Sequence, residues 1–210
     1  MTTFVLIRHA SCDPVGRSIA GRRPGVHLND LGKQQADGLA DRLSRVAFAG
    51  IYSSPLERAL ETAAPLAVRQ RLDVQVAAGF TEIDFGDWTG RTLADLDQLP
   101  DWRRFNSFRS GTRIPGGENM ADVLARVLHE MDRLCERHPD SGDPVAVVSH
   151  GDVLRVLLAH ALGVSPDHMQ RLELSPASIS ILQLEYHGPR LLLLNSTEAW
   201  PGELRLGDPP

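Results

Sequence analysis

The chain has 210 residues, with 22 basic and 27 acidic side chains, 8 histidines and a formal charge of -5. That length supports one domain with a substantial core, and the mild acidity supplies no general attraction to nucleic acid or anionic lipid. Cys12 and Cys135 are too few for a disulfide framework and lack metal-ligand spacing, so neither a disulfide scaffold nor a metal or other cofactor is expected. No basic segment leads into a long apolar stretch, and no run approaches about 18 uninterrupted apolar residues, so a cytoplasmic protein without membrane contact is expected.

The short apolar run over 4–7, with Arg8 after it, reads as a buried strand over 4–8. Residues 10–30, with Gly16, Gly21, Pro24 and Gly25, read as a long loop over its end. Leu31, Gln35, Leu39 and Leu43 then mark a helix of 3.6 period. Ile51 and Tyr52 suggest a second strand, followed by a helix start in which Ser54 caps, Pro55 takes the first helical position and Arg58 sits in the first turn. Residues 72–76 read as a short strand.

Residues 93–117 predict a partly helical surface excursion able to roof a site, with Trp102, Phe105 and Phe108 as a local packing face. Val123, Leu124, Val127, Leu128, Met131 and Leu134 mark an amphipathic helix. An apolar strand over 145–148 ends at Ser149-His150-Gly151 and leads into another helix, and strands over 179–184 and 191–194 make a hairpin at a sheet edge. No repeat or linker divides the chain, so residues 1–200 are expected to form one domain and 201–210 a flexible tail.

Two histidines, His9 and His150, directly follow apolar strands far apart in the chain. In a parallel α/β sheet such strand ends share one edge, so both rings are expected at a common crevice. Arg8 adjoins the first and Arg58 opens a helix after another strand, and neither loses its charge at ordinary pH. Fixed guanidinium charges oppose a divalent cation but suit a phosphoryl group, which is held by bidentate donors, helix N-terminal amides and imidazoles. Cys12 lies near this site but reads as a small packing side chain, because no nucleophile motif surrounds it.

The successive segments LIRHA, PGVHLNDLGKQQADGLADRL, IYSSPLERALETA, FTEIDFGDWTG, PGGEN and AVVSHGDVLRVLL resemble, in order, the motifs of the histidine phosphatase superfamily, the phosphoglycerate-mutase-like group. The resemblance implies an α/β three-layer sandwich whose mixed, mostly parallel central sheet is flanked by helices. It implies that His9 is the nucleophile taking the phosphoryl group, that Arg8, Arg58 and His150 bind the phosphate, and that Glu82 gives a proton to the leaving group. Asp84 and Asp87 are its neighbours and read as turn caps. Glu118 reads as a helix cap, with Asn119 an equal candidate.

The family often places a threonine and later an asparagine after its first motif, whereas this chain has Ala10, Ser11, Cys12 and Asp13, with Val15 near the asparagine's place. Ser11, Arg22 and Arg23 are the candidate substitutes for that contact. The partner implied is a small-molecule phosphomonoester, and homo-oligomerisation stays open. Hydrolysis is expected over mutase-type transfer because the stretch from Gly90 to Gly117 is short for enclosing a bisphosphate. An inactive phospho-ligand binder is a third class, disfavoured because binding alone needs no nucleophile.

Overall fold

The computed structural model describes residues 1–139 and 142–198. The side chains of β1 (Thr2–Arg8) divide by the period of two that strand pleating imposes. Phe4 and Leu6 enter one core with Tyr52, Val145 and Val147, while Val5 and Ile7 enter a second with Ile51, Ala146 and Val148. A strand covered on both faces carries a continuous apolar run and not an alternation, which is what this segment shows.

After β1 come α1 (Asp30–Arg42), β2 (Gly50–Ser53), α2 (Glu57–Gln70) and β3 (Val74–Val76). The short α3 (Leu93–Leu96) and α4 (Pro100–Ser107) precede α5 (Met120–Arg137), β4 (Val145–Ser149), α6 (Gly151–Ala161), β5 (Ile179–Glu185) and β6 (Gly188–Ser196). The sheet order is β3-β2-β4-β1-β5-β6. β3, β2, β4 and β1 pair in parallel, and β5 and β6 add an antiparallel hairpin at one edge. Leu39, Ala40, Ala63 and Leu66 bring α1 and α2 onto one face, and Val127, Met131, Val153 and Leu157 bring α5 and α6 onto the other. The architecture is therefore a three-layer α/β sandwich with a mixed, mostly parallel sheet.

Several local expectations shift. α2 begins at Glu57 behind Leu56, so Ser54 is free of the capping role, while Arg58 keeps its first-turn position. Leu31 is 56% exposed, because α1 turns Gly32, Ala36, Leu39 and Ala40 inward. Gly32 is there for closeness, since a Cβ at that position would stand 2.0 Å from the Ser11 carbonyl oxygen. Trp102 and Phe105 pack edge-on against Trp88 in the core, but Phe108 faces out, so the aromatic stripe splits.

Asn119, not Glu118, caps α5: its Oδ1 accepts from Asp122 N at 2.8 Å, and Asp122 Oδ2 accepts from Asn119 N at 3.4 Å. A reciprocal box of this kind stabilises a helix start by about 1 kcal/mol. The tail over 201–210 lies outside the described residues.

Candidate active site

Four parallel strands deliver the site from their carboxyl ends. His9 follows β1, Ser54 follows β2, and His150 follows β4; the chain leaving β3 reaches Glu82 through a short turn at Ala78–Phe80. The sheet's own bonds continue past the strands, with His9 N donating to Ser149 O at 2.8 Å and Ser54 N to Val148 O at 2.9 Å. Arg8, His9, Arg58 and Glu82 line one cleft of about 180 Å³, together with Gly151 at the start of α6. His150 stands beneath them with its ring centroid 5.2 Å from that of His9.

The His9 ring is fixed by its own neighbour: Nδ1 lies 2.8 Å from the Ala10 carbonyl oxygen, which can only accept, so Nδ1 carries the proton and Nε2 keeps its lone pair. Thr62, one turn along α2 from Arg58, holds this corner. Its hydroxyl donates to Arg58 O at 2.6 Å and accepts from Ala10 N at 2.9 Å. Arg58 Nη2 donates to Gly21 O at 2.9 Å and to His150 Nδ1 at 3.2 Å. Buried Arg58 Nη1 and Arg8 Nε have no hydrogen-bond partner among the described residues. Donors left over in a buried cationic cleft are matched to an oxyanion.

Burial, then Arg58 and Arg8, lower the His9 pKa to about 3, so the imidazole is neutral at ordinary pH. Burial, then Arg58 and His9, likewise hold His150 well below the usual histidine range. Burial pushes Glu82 up, against the pull of Arg58. Its Oε2 stands 3.7 Å from His150 Nδ1 and 4.0 Å from Arg58 Nη2. A neutral nucleophile candidate and a carboxyl inclined to keep its proton thus share one cleft.

The other expected contacts lie elsewhere. Ser11 donates its amide to Gln35 Oε1 at 2.8 Å and is absent from the cleft lining. Arg22 turns away to Glu118 and the Glu82 carbonyl, and exposed Arg23 lies toward Gly90. The Glu118 carboxylate and the Glu82 carbonyl hold Arg22, where the sequence offered only loop charge. Val15, Ile19, Phe85 and Leu93 line the cleft and give it apolar surface. Cys12 also lines it, and burial raises its thiol pKa. Asp84 makes the expected turn cap, accepting from Gly86 N at 3.0 Å.

Residues the sequence reading passed over are Ser54 as a support for His150, Thr62, and Asp152 with Arg155 at the head of α6. Thr62 carried one signal, its position a single turn after Arg58. Among the described residues no cluster of His, Cys, Asp and Glu is arranged to hold a metal, and no helix is long and apolar enough to cross a membrane.

An imidazole with a free Nε2 beside guanidinium donors, at the carboxyl edge of a mostly parallel sheet, defines an α/β protein of the phosphate-handling class. The sequence profile described as Histidine phosphatase superfamily (branch 1) matches residues 4–197, and the chain belongs to that superfamily as a phosphatase-type member. It is 34% identical over 201 residues to phosphoserine phosphatase 1 of Hydrogenobacter thermophilus, covering 94% of this chain and 93% of that protein. It is 36% identical to a longer Mycobacterium tuberculosis bifunctional protein, of which the match spans 54%. The solved structure of mycobacterial glucosyl-3-phosphoglycerate phosphatase with VO3 superposes with a TM-score of 0.84 at 30% identity, covering 93% of this chain and all (100%) of that one.

Proposed function

We propose that the protein hydrolyses a small organic phosphomonoester through a phosphohistidine on His9. The observation that carries this reading is the Nδ1 contact to Ala10 O, which leaves Nε2 as the reactive nitrogen in a cleft lined by Arg8 and Arg58. Nε2 attacks phosphorus in line with the ester oxygen; the N–P bond forms, the P–O bond breaks, and its electron pair leaves on the alkoxide. Glu82 supplies the proton to that oxygen, which its burial favours by keeping the carboxyl protonated. Arg8 and Arg58 hold the remaining oxygens, while His150, whose Nδ1 accepts from Arg58 Nη2 and whose Nε2 lies on Ser54, orients the Arg58 guanidinium, and donors fixed before reaction stabilise the charge that develops in the transition state.

In the second half water attacks phosphorus, the N–P bond breaks, and ionised Glu82 takes the water's proton. His9 and Glu82 are restored, and inorganic phosphate leaves. The relatives named for phosphoserine and for glucosyl-3-phosphoglycerate support a small organic alcohol as leaving group. The apolar surface from Val15, Ile19, Phe85 and Leu93 fits the carbon skeleton of such an alcohol.

The test is steady phosphate release from p-nitrophenyl phosphate and a panel of phosphometabolites, by the wild-type chain and by His9→Ala. Nearly complete loss in the variant, with an acid-labile phosphoryl label on the wild type alone, is the expected result. Unchanged turnover by His9→Ala refutes the assignment, and interconversion that requires added bisphosphoglycerate points to a mutase instead.

A further inference from the structure

Glu82 has few strong contacts of its own. Among the described residues its Oε1 accepts from the adjacent Ile83 N alone, at 2.9 Å, and its Oε2 stands 3.7 Å from the neutral His150 ring and 4.0 Å from Arg58 Nη2. A carboxyl that must release and regain a proton gains from this, since a tight ion pair would hold it ionised. Its position is set instead through the main chain. Arg22 Nε donates to the Glu82 carbonyl at 2.8 Å and Arg126 Nη2 at 3.3 Å. Arg126 Nη1 reaches back to Gly79 O at 2.7 Å and Thr81 O at 2.6 Å, so three carbonyls on the approach to Glu82 are gripped by one guanidinium.

Glu118 joins the two arginines. Its Oε1 accepts from Arg126 Nε at 3.0 Å, and its Oε2 accepts from Arg126 Nη2 at 3.1 Å and pairs with Arg22 Nη2 at 2.9 Å. The same Oε2 accepts from Asp84 N at 3.0 Å, on the other side of Glu82. The side chains of Glu118 and Arg126 are only 19% and 20% exposed, which limits the solvent screening of their pairing. One carboxylate therefore fastens the chain before and after Glu82 without touching the Glu82 carboxyl.

We propose that Glu118 is a positioning residue for the proton donor: by tying Arg22 to Arg126 and holding Asp84 N, it fixes the main chain that carries the Glu82 carboxyl. The inference rests on the reading of Glu82 as that donor. Loosening the support impairs protonation of the leaving oxygen but leaves the phosphate-holding groups in place. The loss then grows with the basicity of the leaving alcohol, a dependence that general instability does not produce.

The experiment measures kcat/KM, which covers the steps through departure of the alcohol, for an alkyl phosphate and for p-nitrophenyl phosphate. Wild type, Glu82→Gln, Glu118→Gln and Arg22→Met are compared, with vanadate inhibition alongside. Glu118→Gln is expected to lose about tenfold on the alkyl ester and about twofold or less on the activated ester, a fraction of the full general-acid effect, with vanadate affinity unchanged. Arg22→Met, at a more exposed position, keeps the test open should Glu118→Gln fail to fold, and is expected to show the same selectivity to a smaller degree.

If Glu82→Gln is selective for the alkyl ester but neither support variant is, the proposal is overturned while the reading of Glu82 stands. If Glu82→Gln itself loses equally on both esters, the reading of Glu82 falls and the proposal with it.

Discussion

His150 Nε2 lies 2.7 Å from Ser54 Oγ, so a hydroxyl at the end of β2 orients a ring at the end of β4. With Nε2–H donating to Ser54, Nδ1 accepts from Arg58 Nη2 at 3.2 Å and stands 3.7 Å from Glu82 Oε2. The serine that reads in sequence as a helix cap instead receives the proton of the tautomer that Arg58, able only to donate, imposes on the ring. Ser54→Ala strands a buried imidazole donor, and about 1–3 kcal/mol of stability is expected to be lost. Urea unfolding checks that figure, and vanadate inhibition is expected to weaken in the same variant because the ring is free to turn. Unchanged vanadate affinity would show that Ser54 does not set the ring's orientation.

Activity is expected to fall on the alkaline side and to persist far into acid. In the proposed mechanism His9 attacks as the neutral ring, a state it keeps down to about pH 3. In the same mechanism Glu82 starts protonated, and its raised pKa moves the loss of that proton upward from the ordinary carboxylate range. The pH profile of kcat/KM on an alkyl phosphate checks this directly. Glu82→Gln is expected to abolish the alkaline limb owed to Glu82 and to lower the plateau by about a hundredfold. An alkaline limb of the same size in the variant would assign it to another group.

Stability has the opposite dependence at the two histidines. Between an unfolded pKa of 6.5 and a folded value of about 3, the unfolded chain binds a proton at His9 that the folded chain refuses. The lowered folded value makes the stabilisation complete above 6.5 and lost as pH falls toward 3, and buried His150 adds to it with the same sign. Glu82, raised on folding, contributes in the other direction: its share is present at low pH and is lost as pH rises through its folded value. Urea midpoints compared at neutral pH and near pH 5 are expected to drop for the wild type, and to drop less for His9→Gln. An equally steep drop in the variant would remove His9 from the account.

The strands and long helices were legible because their burial is periodic. Residues 4–7 and 145–148 are apolar throughout, as central strands are, and Val123, Val127, Met131 and Leu134 recur at helical spacing. The convergence of Arg8, His9, Arg58 and His150 was legible for a topological reason, since carboxyl ends of parallel strands meet at one edge, whereas Glu82 was legible only through the resemblance of its motif. Loop contacts were not. Arg22 and Glu118 find each other across 96 residues of chain, and no local pattern announces a pair whose partners come from different loops. Leu31 misled because its spacing fits the buried face, while the helix start, set by Asn29, turns it outward.

Asp152 offers the clearest case of a buried charge that the fold cannot spare. Its Oδ2 accepts from Arg109 Nη1 and its Oδ1 from Arg155 Nη1, each at 3.0 Å. Burial alone would raise its pKa, but the two guanidinium groups hold the carboxyl below the usual range. Arg109 is 2% exposed and stacks 4.5 Å over the Phe105 ring, so it has no route to water when its partner is lost. Asp152→Asn keeps the shape and removes the charge, leaving two cations facing each other across a neutral amide. Breaking a buried pair in this way costs about 3–5 kcal/mol, well above the small worth of a surface ion pair. Urea unfolding of Asp152→Asn is expected to show a loss in that range, and a loss below about 1 kcal/mol would mean that the pair behaves as a solvated one. Because Asp152 follows His150 by two residues and Arg109 closes the segment after α4, the same variant is expected to weaken the fastening of that segment to the head of α6, read as faster proteolysis near Arg109.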